Sequence, residues 1–130
     1  MRRLTLLTVL FLSLFSTPVF AEWTKVGESV NDDTFYVDFE RIKKHGGYVY
    51  WWDLIDYLKP FSTGTLSVKD YNQGDCKLFR YKRLSYSHHK QPMGRGTPST
   101  SSNKPDKEWD YPPPNTVIEI ILKSVCKYAK

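Results

Sequence analysis

The acids of the stretch YWWDLIDY, residues 50–57, are the first place to look for chemistry. Asp53 and Asp56 stand among tryptophans and tyrosines, and two carboxylates held close together can divide acid and base roles between them. Their spacing argues against it. The stretch reads as a strand, in which residues three apart point to opposite faces and lie about 10 Å apart along the chain. Asp53 and Asp56 are therefore expected to be hydrogen-bonding acids, each needing a partner such as Arg41, Lys59 or Arg80. Asp38 and Glu40 could share one strand face two residues apart, and they read as charges at a strand end.

Other reactive groups are sparse. Of the three histidines, His88 and His89 are adjacent on a predicted strand and face opposite ways, and His45 sits in a polar turn; no metal site is expected. No serine occupies a nucleophile elbow, and no glycine-rich phosphate loop opens a helix; the MGRG of residues 93–96 lies between prolines. Cys76 and Cys126 are too far apart for a CxxC motif or a zinc pair. The chain is thus read as neither an enzyme nor a holder of a cofactor.

The densest charge is basic. Lys77, Arg80, Lys82, Arg83, Lys90 and Arg95 are interleaved with Tyr81 and Tyr86. They form a candidate binding surface for an acidic or sulfated surface or an acidic protein. The competing reading is a solvated face whose Lys and Arg stems cover aromatic rings. Without Arg2 and Arg3, 17 basic residues face 14 acids, a net charge of +3. That is mild for a nucleic-acid binder, and none is expected.

These residues need elements to position them. Arg2 and Arg3, an apolar run over 4–14 and the small residues of Val19-Phe20-Ala21 make a signal peptide of residues 1–21. The run is too short to span a membrane, and Pro18 interrupts it. Export leads to the periplasm, the cell surface or the medium, all oxidising, so a Cys76–Cys126 disulfide is expected. Closing 50 positions, it would contribute roughly 4 kcal/mol. Residues 22–130 form one domain. Its aromatics favour sheet, with strands expected over 23–26, 35–39, 48–58, 65–71 and 76–88, and a short helical turn within 40–44. Both faces of 48–58 are largely apolar, which makes it an interior, covered strand. Asn72-Gln73-Gly74-Asp75 reads as a hairpin turn, and residues 91–108 as a mobile loop, its far end pinned by Trp109 and Tyr111. After Pro112-Pro113-Pro114, Thr116 and Glu119 suggest a capping box. Ile118, Ile121, Leu122 and Val125 then make one apolar helical face. The fold class is α+β: a bent antiparallel β-sheet with a C-terminal α-helix packed on one face and stapled by the disulfide.

In order along the chain, Trp23, FYVDFERI at 35–42, VYWWDLIDY at 49–57, Ser67 to Lys69 with Tyr71, Cys76, RLSY at 83–86, PMGRG at 92–96, Trp109, Pro114 with Thr116, and Cys126 resemble the bacterial surface-adhesin protein E family. The resemblance implies the same compact α+β domain over residues 22–130. It also implies an exported, non-catalytic cell-envelope protein that acts as an adhesin for host extracellular-matrix or serum proteins. The alternative is a periplasmic housekeeping or stress protein with an endogenous envelope partner.

Overall fold

The computed structural model describes residues 21–129; apart from Ala21, the expected signal peptide lies outside the described residues. Seven strands and one helix follow in order: β1 Thr24–Glu28, β2 Thr34–Val37, β3 Lys43–His45, β4 Tyr48–Asp56, β5 Ser67–Asp75, β6 Arg80–His89, β7 Thr100–Ser102 and α1 Val117–Tyr128. The strands form one sheet in the order β1-β2-β4-β5-β6-β7. Every pairing is antiparallel. β2 and β3 share one edge of β4, β2 against residues 53–56 and β3 against 48–50. Between them Phe39–Arg41 makes one 3-10 turn, close to the turn expected within 40–44. The architecture is the α+β arrangement expected from the sequence.

β4 is interior and its two faces meet different covers. Val49 and Trp51 point to one side and, with Val37, pack against Ile121, Leu122 and Val125 of α1; all six are buried. The helix begins at Thr116, whose hydroxyl accepts from the Glu119 N–H at 3.3 Å. The reciprocal half of the capping box is displaced by one residue, for the Glu119 carboxylate accepts from the Asn115 N–H at 3.4 Å. The disulfide joins Cys76 to Cys126 with Cα atoms 5.8 Å apart, clamping the helix to the sheet at its C-terminal end.

The β5–β6 hairpin turns four residues later than expected. Asn72-Gln73-Gly74-Asp75 continues β5, and the turn is made by residues 76–79. The Asp75 carboxylate organises it by accepting from the N–H groups of Lys77 and Leu78 at 3.1 and 3.2 Å. Gly74 serves packing rather than turning: a Cβ there would stand 2.8 Å from Trp51 Cζ3 and 3.0 Å from Leu122 Cδ1. Glycine at this position lets the helix approach the sheet closely. Cys76 therefore lies in the hairpin turn, not at the start of a strand.

Residues 91–108, expected as a mobile loop, contain a 3-10 turn at Pro92–Gly94 and strand β7, which pairs with β6. The loop start is tied to the sheet by buried polar groups. Ser67 Oγ donates to the Gln91 carbonyl at 2.6 Å and accepts from Gly94 N–H at 2.8 Å. Beyond β7, Trp109 rests on Tyr48 with ring centroids 5.5 Å apart, and Asp110 bridges to Tyr81 through paired backbone hydrogen bonds. Tyr111, expected to pin this segment with Trp109, is instead largely exposed.

Candidate functional site

Asp53 and Asp56 point to opposite faces, as their spacing requires, but neither finds the cationic partner expected. Asp53 Oδ2 accepts from Trp51 Nε1 at 3.0 Å and from Asn72 Nδ2 at 2.9 Å. Asp56 accepts from the Met93 N–H at 2.8 Å and so holds the loop after β6. Arg41 belongs to Asp38, Nε to Oδ2 at 2.6 Å, and Arg80 to Asp75 at 3.0 Å. Asp38 and Glu40 do not share a strand face, because Glu40 lies in the 3-10 turn.

An acid pair does exist, formed across strands. Asp53 and Asp70 are direct register partners on β4 and β5, and residues so paired face the same side about 5 Å apart. They line a cleft of about 370 Å³ at the edge of the helix, with Tyr81, Arg83, Asp106 and Asp110. Burial pushes the Asp53 carboxyl well above the usual carboxylate range, and the charge of Asp70 adds to the rise. Burial raises Asp70 to about 6, against the pull of Arg83. Asp70 lies in a strand the sequence does reveal, but strand register is what makes it a neighbour of Asp53.

The opposite, outer face of the sheet is aromatic and cationic. Tyr48, Tyr50 and Trp52 alternate along β4, and Tyr71 of β5 stacks on Tyr50 and Trp52 at 6.2 and 4.9 Å. At one end the Arg80 guanidinium and the Lys82 ammonium lie over the Trp109 ring, 4.5 and 4.6 Å from its centroid. At the other end a cleft of about 830 Å³ is lined by Trp23, Trp52, Arg41, Lys69 and Arg95. Arg41 there stands over Trp52 at 5.5 Å. Burial lowers the Lys69 pKa, and the nearby charge of Arg41 lowers it further.

The wall of that cleft is the PMGRG segment. Met93, Gly94 and Gly96 adopt φ of 58°, 66° and 78°, left-handed values that the two glycines accept at low cost. A Cβ on Gly94 would also stand 2.8 Å from the Lys69 stem. His89 secures the far side: its Nδ1–H donates to the Gly96 carbonyl at 3.1 Å, and Nε2 accepts from the Ser87 hydroxyl at 2.8 Å. Burial, and then the charge of Lys69, hold the His89 pKa below its ordinary value, consistent with this neutral tautomer.

The six basic residues singled out from the sequence are thus dispersed. Arg80 and Lys82 meet on Trp109, and Lys77 is exposed in the neighbouring turn. Arg83 turns to the helix side, 3.9 Å from Asp70 and 4.0 Å from Asp106. Lys90 is exposed beyond β6, and Arg95 joins the larger cleft. Sequence reasoning missed Trp23, Trp52, Arg41 and Lys69 as a group. The alternation of Tyr48, Tyr50 and Trp52 was the available signal, but it read as core.

No helix among the described residues is long and apolar enough to cross a membrane. A search among curated proteins finds no significant match. Among solved structures, a crystal form of Haemophilus influenzae protein E is similar at 18% identity and a TM-score of 0.63, covering 85% of this chain and 91% of that one. Protein E from non-typeable Haemophilus influenzae is similar at 17% identity and a TM-score of 0.59, covering 86% and 80%. At such identity these structures speak for the fold. The sequence model for surface-adhesin protein E matches residues 23–127, nearly the whole described chain, and on that match the protein belongs to the surface-adhesin protein E family.

Proposed function

We propose that this protein is an exported, non-catalytic binding protein of the cell envelope, displayed or released at the cell surface. Its outer sheet face takes a protein partner with an acidic or sulfated surface, as an adhesin does toward host extracellular-matrix or serum proteins. The observation that carries this reading is the placement of Arg80 and Lys82 over Trp109, with Lys77 exposed beside them. Aromatic and arginine side chains grouped on an accessible face are what protein interfaces draw on. Lys82 makes no ion pair among the described residues, so its charge is free for a partner. Membership of the family supports the adhesin role. The Asp53 and Asp70 pair of the helix-side cleft is the one arrangement that favours catalysis instead; against it, Asp53 is bonded to Trp51 and Asn72.

Solid-phase binding of the protein to a panel of purified matrix and serum proteins tests this. For any protein bound, Lys82→Glu is expected to weaken binding about tenfold at low salt, with the gap closing at high salt. Arg83→Gln, on the other face, should leave it unchanged. Equal losses from both variants, or none from Lys82→Glu, would remove this face from the interaction. Digestion of intact cells with a protease that cannot enter checks the address. Cleavage before outer-membrane rupture is expected; protection until rupture would point to an endogenous envelope partner.

A further inference from the structure

The two ends of the outer face are joined by a row of rings on the same face of the sheet. From Trp109 the aromatic rings run to Tyr48, then Tyr50, Tyr71 and Trp52, and Trp23 lines the cleft beyond. Tyr48 and Trp52 are four residues apart on β4, about 13 Å, and the cleft and the Trp109 cluster extend the track at either end. Its cations flank the rings: Arg80 and Lys82 at one end, Arg41, Lys69 and Arg95 at the other. Lys43 pairs with Tyr50 in the ladder and so faces the same side.

Three acids near this track are already engaged, while Glu22 and Glu40, next to Trp23 and Arg41 in the chain, face each other. Asp75 binds Arg80 and the hairpin turn, Asp38 is buried against Arg41, and Asp56 holds the Met93 N–H. Lys69, Lys82 and Arg95 form no ion pair among the described residues. The burial of Lys69 beside a second cation makes an unpaired ammonium costly, and an arriving anion would relieve that cost. The cleft wall is tied down by hydrogen bonds to Asp56, Ser67 and His89, the last two buried.

We infer that the outer face binds an extended, linear acidic polysaccharide, its sugar rings lying along the aromatic track and its carboxylate or sulfate groups reaching the flanking cations. The inference rests on the outer face being the binding face and narrows its partner to one chemistry. A line of half-buried rings, stacked on one another and on the cations, suits the repeating units of a chain. Cations at both ends suit a charge that recurs along it, and a single compact anion would use only one end. Single-stranded nucleic acid has the same general features, but the disulfide and the family place the protein outside the cytoplasm. Acidic polysaccharides are the polyanions met there.

Titration calorimetry with the disulfide-bonded protein tests this. The probes are a sulfated uronate polysaccharide, tetrasaccharide fragments of it, dextran sulfate, neutral dextran and a 20-nucleotide single-stranded DNA. The uronate polymer should bind in a salt-dependent manner and the tetrasaccharides several-fold more weakly, because they reach one end only. Arg95→Glu and Lys82→Glu, at opposite ends, should each weaken the polymer. Trp23→Ala should weaken it about fivefold through lost ring contact, with thermal unfolding confirming that each variant folds. If dextran sulfate and DNA bind as well as the uronate polymer and Trp23→Ala has no effect, the face is a general polyanion surface and the inference fails. If no polysaccharide binds while a matrix or serum protein still does, the inference fails and the protein-binding role stands. Binding of polysaccharide with no protein partner found would leave the inference in place and remove that role.

Discussion

At the residue scale the most informative group is Asp70. Its Oδ1 is buried without a hydrogen-bond partner. Around it stand Asp53 across the ladder, Arg83 on β6, and Tyr81, Asp106 and Asp110 lining the same cleft. A carboxyl raised from 3.8 to about 6 binds more protons folded than unfolded between those values. Unfolding then releases a proton, so stability falls as pH rises through about 4 to 6, and the raised Asp53 carboxyl extends the fall to higher pH. The size is on the order of a few kcal/mol, shared between Asp70 and Asp53. Asp70→Asn should therefore raise the neutral-pH melting temperature and flatten this part of the pH profile. Denaturant titrations of both proteins at pH 4 and pH 7 measure it; an unchanged slope in the variant would show that Asp70 is not the titrating group. Asp53 was visible in the sequence as an acid beside tryptophan. Its pairing with Asp70 was not, because 17 residues separate them and only register joins them.

At the element scale, the hairpin between β5 and β6 shows how local signals can mislead. Asn72-Gln73-Gly74-Asp75 has the composition of a turn, yet Gly74 stays in the strand because Trp51, Leu122 and Val49 crowd the place of its side chain. Packing three-dimensional neighbours overrides turn propensity here. Gly74→Ala should overpack this contact and cost about 1–3 kcal/mol, read as a lowered midpoint of urea unfolding with the secondary structure retained. A neutral result would mean that the helix can lift from the sheet without loss. By contrast, α1 was legible almost residue by residue. Its apolar period, its proline stop and its Thr116 cap are local properties, and three of the four predicted apolar positions, Ile121, Leu122 and Val125, are fully buried.

At the scale of the whole molecule, the sheet separates two environments. The helix side holds the core, clamped by the disulfide between the hairpin turn and α1, with the acid-lined cleft at the helix edge. The outer side is left with rings and cations. Replacing both Cys76 and Cys126 by serine should cost about 2–5 kcal/mol and free the helix end first, which hydrogen exchange along α1 would detect. Uniform loss of protection across the sheet instead would show that the bridge acts on the domain as a whole.

The amino-acid sequence by itself determined the class of the fold, the interior strand, the terminal helix, the cysteine pair and the family. Those features depend on periodicity, on composition and on residues near one another in the chain, or on motifs in a fixed order. Only the tertiary structure decided which charges meet. The basic run of residues 77–95 was parted because alternate strand residues face opposite ways, and a bulge in β6 at Leu84 shifts the alternation. Arg41, Lys69 and Arg95 were gathered into one cleft because β5, the Phe39–Arg41 turn and the PMGRG loop converge on one face. Charge and aromatic content can be counted along a chain, but the side of the sheet on which each falls is set by register, bulges and loops, which no short stretch encodes alone.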